Sequence, residues 1–252
     1  MKTILIIGVG AGDPDYITVQ AIKALNRVDV FFLMDKGPAK AKLRALREEI
    51  CRRHIQGRTW RTAETPSPPR DTAAADYRAA VDVLNRDKQA VFDRMIESEL
   101  KDGETAGILV WGDPTLYDST IRNIEAIAAA GRHAIAYEVV PGITAVQALA
   151  ARHRIPLTRI AEPVLLTTGR RLAEGFPDDS DSVVVMLDGE DTYRRFAGQD
   201  MEIWWGAYLG TPDEILVSGP LAEVSEEIHR RRSAARRANG WIMDTYLMRK
   251  RT

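Results

Sequence analysis

Ile4-Leu5-Ile6-Ile7-Gly8-Val9-Gly10-Ala11-Gly12-Asp13-Pro14-Asp15 decides how the rest of the chain is read. Four consecutive apolar residues with no polar alternation are the pattern of a strand buried on both faces, as in a parallel sheet. The glycine loop then stands at the strand's carboxyl end, where open α/β sheets bind ligands. A dinucleotide-binding turn needs Gly-x-Gly-x-x-Gly, its third glycine letting the next helix pack on the strand. Here the third glycine comes one residue early, at Gly12, and Asp13 stands where that fingerprint wants glycine. Pro14 suits the first position of a helix and Asp13 its N-cap. An aspartate there occupies the amides that would hold a pyrophosphate and places negative charge where the phosphate would sit. The loop argues against a nicotinamide or flavin cofactor. It leaves a plain βα turn or a place for something cationic or neutral.

Outward from this stretch, strand-like and helix-like segments alternate. Val19, Ile22 and Leu25 follow at helical spacing, and Val28–Met34 reads as a second buried strand. Leu43, Leu46 and Ile50 mark the apolar face of a helix whose other face carries Lys40, Arg44 and Arg47. Thr62–Asp71, with Pro66, Pro68 and Pro69, reads as a rigid surface loop. Ala73–Leu100 reads as a long helix, Ile108–Trp111 and Ala134–Val140 as strands, and Ile121, Ile124 and Ile127 as the helix between them. This rhythm predicts a parallel sheet with helices on its faces. After Pro141-Gly142 the pattern changes. A helix over Thr144–Arg152 precedes strands at Val164–Thr168, Ser182–Leu187, Ile203–Leu209 and Ile215–Ser218. The last two are joined by Gly210-Thr211-Pro212-Asp213 as a hairpin. A helix over Ala222–Ala238 and a strand over Trp241–Leu247 complete a mixed half. The predicted fold is therefore α/β with two α/β domains, residues 1–140 and 141–252, the first mostly parallel and the second mixed.

The 252 residues carry 35 basic and 36 acidic side chains, so no global field argues for nucleic acid or an anionic membrane. Cys51 is the one cysteine, which excludes an internal disulfide and, with four histidines, disfavours a metal site. His54, His133, His153 and His229 read as surface or structural. No apolar run approaches the ~18 residues of a membrane helix, and residues 1–12 are too short and glycine-broken for a signal peptide. The expectation is a cytoplasmic protein.

The opening device recurs. Ile108-Leu109-Val110-Trp111 runs into Gly112-Asp113-Pro114-Thr115-Leu116-Tyr117-Asp118-Ser119, again a buried strand ending in Gly-Asp-Pro before a helix. Here too the aspartate is open to reading as a helix N-cap. Val139-Val140-Pro141-Gly142-Ile143-Thr144-Ala145 is a third loop at a strand's end, read by itself as a Pro-Gly turn feeding a helix capped by Thr144.

Taken in register, these three loops resemble the tetrapyrrole methyltransferase family. Gly8–Pro14 with Thr18, Trp111–Pro114 with Tyr117 and Ser119, Pro141–Ala145 with Ile155-Pro156-Leu157-Thr158, Val184–Leu187, and Gly206-Ala207-Tyr208 look like its five motifs. The resemblance covers the whole chain and implies that family's fold, with S-adenosyl-L-methionine in the cleft between the domains. It implies cofactor contacts from Gly112, Asp113, Leu116, Thr144, Ala145, Met186, Ala207 and Tyr208. Ala11 belongs with them, although many relatives carry proline at that position. In finer features, Asp35-Lys36-Gly37, the loop Pro66–Asp71 with Pro69-Arg70-Asp71, Val110–Pro114, Tyr117-Asp118-Ser119-Thr120 and Thr167–Leu172, the chain resembles the deacetylating branch of that family. That branch methylates C1 of precorrin-5, loses acetate, leaves S-adenosyl-L-homocysteine and serves aerobic cobalamin biosynthesis. Relatives are commonly homodimers.

Methyl transfer asks for alignment rather than a covalent nucleophile, which agrees with a sequence lacking a Ser-His-Asp or Cys-His signature. Deacetylation asks for a base and an oxyanion donor. Asp13, Asp35 and Asp118 are the candidate bases and Tyr117 the candidate donor. A polycarboxylate macrocycle asks for cations, and Lys36, Arg70, Arg170 and Arg171 lie in predicted loops. The basic runs Arg230–Arg232 and Arg236-Arg237 read as a solvated helix face. Other readings stay open: a sibling acting on another precorrin carbon, on rRNA or on diphthamide, a nicotinamide oxidoreductase, and a non-catalytic binding module.

Overall fold

The computed structural model describes residues 1–35, 37, 41–69 and 76–251. The chain divides into two compact units, Met1–Gly10 with Pro14–Ile143, and Ala11–Asp13 with the chain from Thr144 on.

The first unit is built on strands β1 (Lys2–Gly8), β2 (Val30–Asp35), β3 (Arg61–Pro66), β4 (Thr105–Val110) and β5 (Ile135–Val140). Their order is β3-β2-β4-β1-β5, and every neighbouring pair is parallel. The opening apolar run has a direct explanation here. Ile4 and Ile6 enter one core cluster with Phe92, Ile96 and Ile124. Leu5 and Ile7 enter another, on the opposite face, with Ala21, Leu25 and Ile50. Helices α3 (Tyr77–Glu99) and α4 (Thr120–Ala129) supply the first cluster, and α1 (Val19–Leu25) and α2 (Ala41–His54) the second. A strand covered on both sides needs apolar residues at every position.

Three expectations change in this unit. Asp13-Pro14 does not open a helix: Pro14–Tyr16 is a single 3₁₀ turn, and α1 starts at Val19, where the Thr18 hydroxyl accepts from the Ala21 amide at 3.0 Å. Part of the expected proline loop is an edge strand, because β3 presents only one residue, Ala63, to the core and therefore lacks an apolar signature. Pro66 ends it, as proline can on an edge. Arg47, expected on the face opposite the apolar one, instead packs inward, its guanidinium over the Trp111 ring 5.0 Å from the centroid. Lys40 and the expected first turn of α3 lie outside the described residues.

The second unit contains α5 (Ala145–His153), β6 (Val164–Thr168), α6 (Gly169–Leu172), β7 (Ser182–Met186), β8 (Met201–Ala207), β9 (Ile215–Pro220), α7 (Leu221–Asn239) and β10 (Asp244–Lys250). Its sheet runs β6-β7-β10-β8-β9, parallel only between β6 and β7. The predicted hairpin is β8–β9, with Ala207 opposite Ile215. Trp205, Tyr193, Tyr208 and Tyr246 are its largest buried side chains. Arg232 departs from the solvated face assigned to its run. It is 4 % exposed and pairs with Asp191 at 2.9 Å and Asp244 at 2.8 Å, because position 232 falls one turn beyond buried Ile228 on the inward side of α7. Arg170 and Arg171 stand on the short turn α6 rather than in a loop.

Candidate functional site

The carboxyl ends of β1, β4 and β5 place three loops against one another within the first unit. Gly10 and Gly112 form an antiparallel bridge, the Gly112 amide donating to the Gly10 carbonyl at 2.8 Å. The third loop closes on them. A Cβ at Gly142 would lie 2.1 Å from the Gly112 carbonyl oxygen, and one at Gly8 would lie 2.6 Å from the Gly142 nitrogen. Side chains cannot be accommodated at this junction, so its glycines are a packing requirement.

Asp113 ties the junction together. It is buried, and its carboxylate accepts from the Gly142 amide at 2.8 Å, the Thr115 amide at 2.8 Å and the Thr115 hydroxyl. Burial pushes its pKa up, but these donors outweigh burial and hold it below the ordinary carboxylate range. Asp113 is therefore a strap between loops and not the N-cap of α4, which begins at Thr120. The N-cap position is Ser119, and Asp118 just before it accepts from the Thr120 amide at 2.7 Å.

Beside this junction lies a cavity of about 370 Å³. Phe31, Phe92 and Ile108 contribute apolar wall, and Leu116, Tyr117 and Asp118 line it from the loop after β4. Tyr117 adopts φ 53° and is 46 % exposed, and burial of the rest raises its phenol. The phenol stays protonated at neutral pH and can donate. Arg47 and Trp111 also line the cavity. The Arg47 Nε and the Trp111 Nε1 are buried and have no hydrogen-bond partner. Burial brings the Arg47 guanidinium down to about 10, Asp118 opposing the drop. Asp35 ends β2 and accepts from the Gly37 amide at 3.0 Å, but it does not line the cavity. Lys36 and Arg70 lie outside the described residues.

In the second unit, Thr144 caps α5 in a capping box with Gln147, and Ala145 is the first helical residue. Gly12 packs so tightly that a Cβ would lie 2.3 Å from the Leu209 carbonyl, which fixes the backbone of Ala11–Asp13 in this unit. Met186 ends β7 half-buried, and Ala207 ends β8 fully buried. Tyr208 follows with φ 49° and a buried ring whose hydroxyl donates to the Trp241 carbonyl at 2.5 Å. The Tyr208 N–H donates to the Met243 carbonyl at 2.8 Å, and its carbonyl accepts from the Thr211 amide at 3.0 Å and hydroxyl at 2.8 Å. Arg170 and Arg171 are exposed, and Arg171 pairs with Glu174 at 2.7 Å.

Residues 3–225 match the family description Tetrapyrrole (Corrin/Porphyrin) Methylases. The chain belongs to the tetrapyrrole methylase family. It is 50 % identical to a Sinorhizobium protein named precorrin-6A synthase [deacetylating], over 99 % of this chain and 96 % of that one. A crystal structure of a cobalamin synthesis related protein (CobF) from Corynebacterium diphtheriae superposes with a TM-score of 0.83 at 35 % identity, covering 99 % of both chains. A Thermus thermophilus uroporphyrin-III C-methyltransferase, solved with S-adenosyl homocysteine, shares the fold at a TM-score of 0.54 and 18 % identity, covering 98 % and 96 %.

Two side chains of this methylase escaped the sequence reading. Trp111 was visible as part of a motif but carried no role of its own. Arg47 sits at helical spacing among exposed residues, and nothing in that spacing tells an inward cation from an outward one.

Proposed function

We propose that this methylase transfers a methyl group from S-adenosyl-L-methionine to C1 of precorrin-5 and releases acetate, giving precorrin-6A in aerobic cobalamin biosynthesis. The observation that carries the reading is end-to-end similarity at 50 % identity to a deacetylating precorrin-6A synthase. The interlocked loops of the first unit support it. They put close-approach backbone and a buried carboxylate at the strand ends, and neither α1 nor α4 presents the glycine-opened N-terminus that grips a pyrophosphate.

The glycine packing fixes the backbone of the loops at the strand ends, and the buried carboxylate among them leaves no anion-binding amides for a diphosphate, which agrees with a phosphate-free ligand. Gly112, Asp113 and Leu116 would hold the methyl donor from the first unit, and Ala11, Thr144, Ala145, Met186, Ala207 and Tyr208 from the second. When bound, the donor supplies an electrophilic methyl on a sulfonium. Asp113 fixes the loop that presents Gly112. Tyr117 donates a hydrogen bond, and Asp118 takes a proton from water during loss of the acetyl group, with Asp13 and Asp35 as alternative bases. Arg170 and Arg171, with Lys36 and Arg70, meet the macrocycle carboxylates. The first unit carries the precorrin-binding face, and the second completes the donor site. No helix among the described residues is long and apolar enough to cross a membrane. A cytoplasmic homodimer is part of the same reading. Sedimentation velocity tests the dimer.

Incubating the purified protein with precorrin-5 and methyl-labelled donor tests the function. The expected result is one acetate released per methyl transferred. Methylation without acetate would move the chain to a sibling reaction, and absence of both would remove the reading.

A further inference from the structure

We propose that Arg47 and Trp111 form an acetyl subsite, their two N–H groups receiving the carbonyl oxygen of the departing acetyl group and then the carboxylate of free acetate. The proposal rests on the deacetylating reading above.

Two buried N–H donors without partners stand on the wall of one cavity. Leaving both unsatisfied is costly, so the pair calls for an acceptor. The two groups are in contact, the guanidinium carbon lying over the indole 5.0 Å from its centroid. Among the described residues Arg47 makes no ion pair, and Asp118, on the same wall, acts on it only through space. Glu48, the adjacent acid on α2, is taken by Arg44 at 2.9 Å, and Arg44 also takes Glu64 at 2.6 Å. Burial weakens hydration of the Arg47 cation without discharging it at neutral pH. Such a cation binds a compact oxyanion more strongly than an exposed arginine does.

The rest of the wall selects the ligand. Phe31, Phe92, Ile108 and Leu109 form an apolar stretch of it, Tyr117 and Asp118 border the same space, and Arg44, Glu48 and Lys88 give it a charged side. A group that is half oxygen and half methyl matches such a pocket, and acetyl and acetate both have that form. About 370 Å³ is ample for them.

The step balances. Water gives a proton to the base, and the hydroxide adds to the acetyl carbonyl carbon. The resulting oxyanion lies between the Arg47 and Trp111 donors. It collapses, the bond between C1 and the acetyl carbon breaks, and that electron pair passes to C1; it becomes the bond to the methyl carbon as the donor's methyl–sulfur bond breaks and its pair goes to sulfur, leaving S-adenosyl-L-homocysteine. Acetic acid loses its proton and leaves as acetate.

Equilibrium dialysis with labelled sodium acetate tests the subsite directly on the wild type, Arg47→Met and Trp111→Phe. Trp111→Phe keeps an aromatic face under the guanidinium and removes only the donor, and thermal melts confirm which variants are folded. The expected result is acetate binding by the wild type that is lost in both variants. In turnover, kcat for acetate release is expected to fall about 10²–10³-fold in Arg47→Met, as when an oxyanion donor is removed, with KM for precorrin-5 unchanged. Arg47→Lys is expected to recover part of the rate. Equal acetate binding by wild type and Trp111→Phe overturns the proposal. So does a raised KM at constant kcat, which would assign the pair to a carboxylate arm of the macrocycle. A wild type that methylates precorrin-5 without releasing acetate overturns the deacetylating reading, and the subsite with it.

Discussion

Asp113 shows how much of the loop junction hangs on one carboxylate. Asp113→Ala leaves the Gly142 and Thr115 amides without their acceptor, and a loss of about 1–3 kcal/mol is expected in urea unfolding. Weaker binding of S-adenosyl-L-methionine is expected by titration calorimetry, since the loop presenting Gly112 is no longer strapped. The pH dependence follows from the same bonds. The folded pKa of Asp113 is depressed, so its contribution is complete above the unfolded value of about 3.9 and fades as pH falls through the folded one. The stability gap between wild type and Asp113→Asn is expected to narrow below about pH 4 in denaturation series from pH 7 to pH 3. Cys51 gives a second test. Burial pushes its thiol up to about 12 and leaves it 5 % exposed. A disulfide exchange reagent at pH 8 is expected to leave the native protein unmodified and to titrate one thiol in urea.

Helix α7 and strand β10 are joined by charge rather than by grease alone. Arg232 reaches Asp191, Asp244 and the Asp188 carbonyl, all from a nearly dry position, while the Trp205 indole donates to Asp244 at 3.0 Å. Burial pushes Asp244 up and Arg232 opposes it. Arg232→Ala takes the cation from two buried carboxylates, leaving Asp191 to His229 and Asp244 to the Trp205 indole, and thermal unfolding is expected to report a loss of about 3 kcal/mol. Position 232 also marks where the amino-acid pattern stops being legible. Strands such as β1 and β6 and the caps at Thr18 and Thr144 announce themselves through unbroken apolar runs or cap chemistry. Strand β3 does not, because an edge with one buried residue has no hydrophobic period to read. Arg47 and Arg232 are missed for a related reason. A guanidinium on a helix looks alike in sequence whether it meets water or a buried partner, and only tertiary packing decides. Asp113 was visible as a loop residue, but its bond to an amide 29 positions away needed three-dimensional structure.

For the protein as a whole, ligand linkage gives the cleanest readout. S-adenosyl-L-methionine at one hundred times its Kd is expected to add about 2.7 kcal/mol to stability, and NAD to add nothing, in paired thermal melts. A shift with NAD and none with the sulfonium compound would reverse the choice made at Asp13. The order of strands in the first sheet carries a different consequence, one that concerns birth rather than catalysis. Strand β1 lies between β4 and β5, with Thr3 opposite Thr105 and Lys2 opposite Ile135. At about 5–20 residues per second, a ribosome needs on the order of ten seconds to deliver both neighbours. Throughout that interval Ile4–Ile7 leaves the exit tunnel with no lattice to join. Stalled nascent chains of 100 residues are expected to stay bound by a chaperone that grips greasy segments, and full-length released chains to shed it.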